Sequence, residues 1–163
     1  MSSSWKPRLL LATALAVVAG GPALAGSDSD VLTVRVTVQE ACSIAGSTLD
    51  FGTYSAGQQA ALDAQGAVSY SGCAAGTLTI ALDGGGAGTT ANRAMTNGSG
   101  GSLNYQLFRN SARSTIWGSG AEAQQVVLLE PGSGNVPVYG RIPGSQNVAA
   151  GSYSDTVNVT LTF

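Results

Sequence analysis

The chain has 163 residues, 7 of them basic and 9 acidic, a formal net charge of −2 at pH 7, and no histidine. Without histidine it can build neither a Ser-His-Asp nor a Cys-His nucleophile system, and it lacks the commonest metal ligand. The acidic balance disfavours nucleic acid and anionic membrane as partners.

Lys6 and Arg8 precede an apolar run from Leu9 to Val18, and Ala23-Leu24-Ala25 has the small-residue spacing of a cleavage site. Residues 1–25 therefore read as a signal peptide, with an apolar run too short to span a bilayer. Removing 25 of 163 residues leaves 138, enough for one domain with a real core. Lys6 and Arg8 leave with the leader, so five arginines face nine acidic residues, a net charge near −4. Glycine supplies 23 of the 163 residues, about twice its usual share. With Ser, Thr and Val abundant, this is the composition of a turn-rich all-β domain.

"GSDSD" at 26–30 is polar, and "VLTVRVTVQEAC" follows. Leu32, Val34, Val36 and Val38 share one face of a period-2 pattern; Val31, Thr33, Arg35 and Thr37 share the other. Residues 26–40 read as an N-terminal extension and 41–163 as a single domain. Further strands are expected at "LDFGTY" (49–54), "AVSYSGC" (67–73), "TLTIALD" (77–83), "LNYQLFR" (103–109), "VVLLE" (126–130) and "VPVYGRI" (136–142). "EAQQVVLL" at 122–129 is compatible with a helix and is read as strand. Glycine-rich segments at 84–92, 96–102 and 131–135 separate these runs and supply turns. The chain ends on "SYSDTVNVTLTF". There Val157, Val159, Leu161 and Phe163 alternate with polar residues and run to the C-terminus with no later strand to pair them. Short strands at this spacing indicate a β-sandwich. An apolar edge strand needs a cover.

Cys42 and Cys73 are the only cysteines. Export makes a disulfide between them the default. For a loop of about 30 residues the chain-entropy estimate is about 3.6 kcal/mol. Two cysteines without histidine make a poor zinc site. No nucleophile elbow and no P-loop appears, and the acidic residues are scattered among turns. No catalytic residue, cofactor or metal site is expected. Arg93, Arg109, Arg141 and Asp83 read as loop anchors rather than ligand contacts. Trp117 and Tyr139 read as core rather than as a sugar platform.

Several islands together resemble one family. They are "ACSI" (41–44), "LDFGTY" (49–54), Cys73, "ALDGG" (81–85), "RAM" (93–95), "LNYQLFRN" (103–110), "IWG" (116–118), "VYGRIPGSQ" (138–146) and "GSYSDTVNVTLTF" (151–163). In this order they resemble the spore coat protein U domain family, which includes subunits of archaic, Csu-type chaperone–usher pili. The resemblance implies an all-β, incomplete immunoglobulin-like sandwich that lacks its last strand. A donor strand completes it in trans, first from a periplasmic chaperone and then, at an outer-membrane usher, from the extension of another pilin subunit. It implies export through the periplasm to a cell-surface pilus, head-to-tail homo- or hetero-polymers, and roles in adhesion and biofilm formation. On this reading Leu32, Val34, Val36 and Val38 are the donor residues, and Val157, Val159, Leu161 and Phe163 edge the acceptor groove. Because only residues 39–41 separate Val38 from Cys42, a second limit stays open, with the donor beginning nearer Asp28 and part of 31–38 belonging to the subunit's own first strand. The pattern alone equally admits a self-complete secreted sandwich, with 31–38 paired inside its own sheet, acting as a ligand-binding or coat-layer protein. A small carboxylate-dependent hydrolase is a weaker third reading.

The leader makes a direct prediction. The exported protein should begin at Gly26, which intact mass would show; a retained Met1 would contradict it.

Overall fold

The computed structural model describes residues 26–38, 42–87 and 89–163. The expected signal peptide lies outside the described residues. The chain divides into two units, Met1–Thr37 and Val38–Phe163.

In the first unit the described residues carry no helix and no strand. Val31, Leu32, Val34 and Val36 are 83–86% exposed, and Val38, the first residue of the second unit, is likewise exposed. The alternation over 31–38 forms no strand among the described residues. A strand exists only where a neighbour takes its main-chain N–H and C=O groups.

The second unit is built from eight strands among the described residues: β1 (Ser43–Gly46), β2 (Leu62–Cys73), β3 (Gly76–Leu82), β4 (Arg93–Thr96), β5 (Ser102–Phe108), β6 (Gln124–Leu128), β7 (Gly132–Ile142) and β8 (Val159–Thr162). They form a five-stranded sheet, β1-β2-β7-β5-β4, and a three-stranded sheet, β6-β3-β8. Every pairing is antiparallel. In β7 the residues Val136, Val138 and Ile142 are buried, while Pro137, Tyr139 and Arg141 between them are not. β3 and β5 alternate in the same way through Leu78, Ile80, Leu82 and Leu103, Tyr105, Leu107. The two inner faces close on one core with Trp117 fully buried within it. The Trp117 indole N–H donates to the Ile80 carbonyl at 2.9 Å. Such a partner is what lets an indole enter a core.

Several expected boundaries move. "LDFGTY" at 49–54 forms no strand. The Asp50 carboxylate accepts the Gly52 N–H at 2.8 Å, and Gly52 sits at φ 72°. That local turn breaks any ladder. Residues 132–135, read as a turn, instead open β7 opposite the end of β2. β6 begins at Gln124, so the helix-compatible window is strand. The terminal pattern from 156 onward is ladder only over 159–162.

Cys42 and Cys73 are joined in a disulfide. It ties the entry of β1 to the end of β2, just after a bulge at which Gly72 adopts φ 66°. Replacing both cysteines by alanine should lower unfolding stability by about 2–5 kcal/mol. The midpoint of denaturant unfolding measures this, and an unchanged midpoint would assign the bridge no part in holding β1.

Candidate functional site, an apolar groove beside the C-terminal strand

β1 ends the larger sheet and β8 ends the smaller one, and both face an open groove of ≈ 710 Å³. One wall is β1 with residues 47–51. The other is residues 153–159. The floor is core, including Val68, Leu82, Tyr105, Leu107 and Val138. A second hollow of ≈ 550 Å³ continues it past Tyr54, Leu103, Ile142 and Val148, sharing Leu49, Asp50, Phe51, Met95 and Tyr153 with the first.

The terminal segment bridges the two sheets. Ser154 and Thr96 exchange both main-chain hydrogen bonds, at 3.0 Å each. Further on, the Asp83 N–H donates to the Asn158 carbonyl at 3.1 Å, and β8 then pairs with β3, Val159 opposite Leu82 and Leu161 opposite Ile80. In an antiparallel ladder alternate residues direct their main-chain groups to opposite sides. With Asn158 bonded toward β3, the N–H and C=O groups of Val157, Val159 and Leu161 face the open side. Their side chains, half-buried, turn inward, and Ser154, Thr156, Asn158, Thr160 and Thr162 turn outward.

The facing wall depends on two glycines. A Cβ on Gly140 would lie 2.6 Å from Phe51 Cζ and 2.9 Å from Leu49 Cδ2. One on Gly66 would lie 3.3 Å from Leu49 Cβ. These bare positions on β7 and β2 let residues 49–51 lie flat on the sheet. Phe51 then meets Tyr105 edge-on at 6.3 Å.

Polar clasps fix the terminal segment. The Asp83 carboxylate accepts the Asn158 N–H at 2.9 Å, the Asn158 amide at 2.6 Å and the Gly85 N–H at 2.9 Å. Burial pushes this carboxyl up, but those bonds, with Arg93 nearby, outweigh it and hold it below 3.8. Asp155 accepts the Tyr105 hydroxyl at 2.6 Å and the Gly86 N–H at 2.7 Å. Burial and that carboxylate raise the Tyr105 hydroxyl. Arg93 is fully buried. It donates to the carbonyls of Asp83 and Trp117 and, at 2.6 Å, to the Gln106 amide oxygen.

Of the expected groove residues, Val157 and Val159 line it. Leu161 packs against the core just beyond. Phe163 follows β8, is 59% exposed and does not line the groove. Leu32, Val34, Val36 and Val38 lie exposed outside any strand. Arg93 is an anchor, as are Arg109, which donates to the Ala123 carbonyl, and Arg141, which makes two bonds with Asp63. Leu49, Phe51, Met95, Tyr105 and Tyr153 were not anticipated as lining residues. Gly66 and Gly140, lying within strands, were the available signal for a close approach.

The Asp83 clasp carries a pH prediction. A carboxyl held below its unfolded value gives stability that is present above that value and is lost as pH falls through the folded one. Asp83→Asn should therefore be less stable at neutral pH and lose less on acidification below 3.8. Denaturant midpoints across that range measure it. Parallel acid profiles for the two proteins would count against the clasp.

The sequence profile of the Spore Coat Protein U domain matches residues 28–160. Protein U of Myxococcus xanthus is 35% identical over 168 residues, covering 92% of this chain and 93% of the relative. Among solved structures, a chain of the CsuC–CsuE chaperone–tip adhesion subunit pre-assembly complex of Acinetobacter baumannii superimposes with a TM-score of 0.52 at 23% identity. The match covers 75% of this chain and 39% of that one. A chain in the structure of a chaperone–usher pilus matches at TM-score 0.46 and 16% identity, over 88% of this chain and 99% of that one. The fold is thus the immunoglobulin-like sandwich found in chaperone–usher pilus subunits, and the chain belongs to the Spore Coat Protein U domain family.

Proposed function

We propose that this protein is a structural pilin, exported through the periplasm and assembled by chaperone–usher donor-strand exchange into a surface pilus that supports adhesion and biofilm formation. The observation that carries this reading is the groove. It presents half-buried apolar side chains, Ile44, Leu49, Phe51, Met95, Val157 and Val159, above a core floor, beside a strand edge with unpaired main-chain groups. An added strand satisfies both at once: its main chain bonds the edge and its alternate side chains fill the floor. The chain supplies such a strand at 31–38, where no described strand uses it. Asp30 shares the face of Leu32, so the part able to enter apolar surroundings starts after it.

Each subunit's groove takes the extension of another, a head-to-tail contact that does not close and so grows a fibre. A periplasmic chaperone fills the groove before assembly, and an outer-membrane usher is the site of exchange. The Csu pre-assembly complex, a chaperone bound to a pilus subunit, is consistent with this order.

Changing Val34 and Val36 together to Asp tests the donor. The chain should still be recovered folded on its chaperone, and fibre formation should cease, because each carboxylate would enter the groove at a cost of several kcal/mol. Electron microscopy and sizing of the exported protein decide it; normal fibres from this variant would refute the assignment. A companion chain carries residues 28–38 after Phe163 on a flexible linker and lacks the native extension. The linked strand then acts at roughly millimolar effective concentration. A soluble monomer with a raised melting temperature is the expected result, and no stabilisation would count against the groove as acceptor.

A further inference from the structure

The extension carries one basic residue, and the groove wall carries an acid that is turned outward. Arg35 lies between Val34 and Val36 on the opposite face of the pattern. Arg93, Arg109, Arg113 and Arg141 are each tied to carbonyls or carboxylates of the domain. Arg35 is exposed and makes no hydrogen bond or ion pair among the described residues. Asp50 lies on the wall of both hollows. It is exposed between the inward Leu49 and Phe51, and one of its oxygens accepts only the Gly52 N–H. The other carboxylates near the groove are committed: Asp155 to Tyr105 and Gly86, and Asp83 to Asn158 and Gly85.

We infer that the groove's occupant is a second copy of this chain, and that Arg35 of one copy pairs with Asp50 of the next across the groove rim. The inference rests on the donor-strand reading above. With Val34 and Val36 seated on the floor, Arg35 must point outward, on the same side as Asp50 of the adjoining wall. Same-face residues of neighbouring extended segments lie within reach of a long side chain. The exported chain is net acidic, so two copies repel at long range, and a lone cation on the inserted segment offsets this where the copies meet. An exposed pair of this kind adds little affinity. It selects partner and register, and its effect appears in the association rate and its salt dependence. A groove made for a different subunit's extension would have no reason to match the charge of this one.

Two exported full-length variants, Arg35→Glu and Asp50→Lys, test this, each alone and in an equimolar mixture. Growth of assemblies is followed by light scattering at about 20 mM and about 500 mM salt. Each single variant places like charges at the rim and should assemble roughly 3- to 10-fold more slowly than the native chain at low salt. High salt should remove the difference. In the mixture the Arg35→Glu extension enters the Asp50→Lys groove, and the native Arg35 enters the native Asp50 groove. Assembly should return to the native rate, and both chains should appear in the same fibres. Native-rate assembly of either variant alone, or a mixture no faster than its components, would overturn the pairing. The Val34→Asp, Val36→Asp chain separates the two levels. If it assembles normally, the donor reading itself has failed. If it does not assemble while Arg35→Glu is unaffected, only the charge pairing has.

Discussion

Among the described residues the last strand, β8, has a hydrogen-bonding neighbour on one side only, and much of the domain's architecture follows from that. Toward β3 the ladder is complete. Away from it, the main-chain groups of Val157 and Val159 face the groove, and those of Leu161 face the open side just beyond it. An N–H or C=O group open to water costs nothing, but one enclosed against apolar surface without a partner costs a few kcal/mol. The edge is therefore tolerable while the groove is wet and unfavourable once it is covered by anything that lacks main-chain donors and acceptors. Side chains alone cannot close this groove. A strand can, because it brings polar main chain and apolar side chains at the same 2-residue period.

For that to work the groove must keep its shape while empty, and the polar clasps provide this. Apolar walls without a filling tend to collapse, since each gap forfeits dispersion contacts. Here the terminal segment is held at three points by directional bonds: Ser154 to Thr96, Asp155 to Tyr105, and Asn158 to Asp83. Arg93 supports the same corner from beneath, bonding the carbonyl of Asp83 itself. Burial lowers its pKa, while Tyr105, Asp83, Glu122 and Asp155 act the other way. A buried guanidinium is costly unless its donors are used, and here the carbonyls and Gln106 use them. The opposite wall is held by the β1–β2 ladder and the bonds between Ser47 and Ala67, and beyond them by contact, through Leu49 and Phe51 against the bare glycines of β2 and β7.

The long strands were legible because one face of each meets the core. Alternation in "VPVYGRI" or "LNYQLFR" is the direct imprint of a sandwich interior, and β5 and β7 lie where that pattern puts them. β1 and β4 carry no legible period, because four residues give too few repeats. "LDFGTY" misled for a different reason. It has inward Leu49 and Phe51 like a strand, but its contacts are side chain on sheet, and Gly52 turns the backbone out of any ladder. The groove itself was half legible. Val157 and Val159 could be read from the terminal alternation. The floor could not, since it is assembled from β2, β3, β5 and β7, which are distant in sequence and adjacent only in the fold. Phe163 continued the pattern on paper, yet the ladder stops at Thr162 and the side chain passes beyond the wall.

The strength of the proposed joint divides unevenly between its two halves. Burying Leu32, Val34, Val36 and Val38 is worth about 1.5–3 kcal/mol each, about 6–12 kcal/mol together. Ordering eight residues of a loose extension costs about 1–2 kcal/mol each, about 8–16 kcal/mol. The inserted strand, taken alone, therefore comes out near balance. What tips the sum is the acceptor's side: Leu49, Phe51, Met95 and Val157, already fixed, lose their exposure to water at almost no further entropic cost. The new ladder adds about 0.5–1.5 kcal/mol per bond. A donor of this kind is weak in solution and strong only against a groove prepared in advance. On the proposed assembly, the rigidity of the walls, set by glycines and clasped carboxylates, matters as much as the apolar character of the strand that enters.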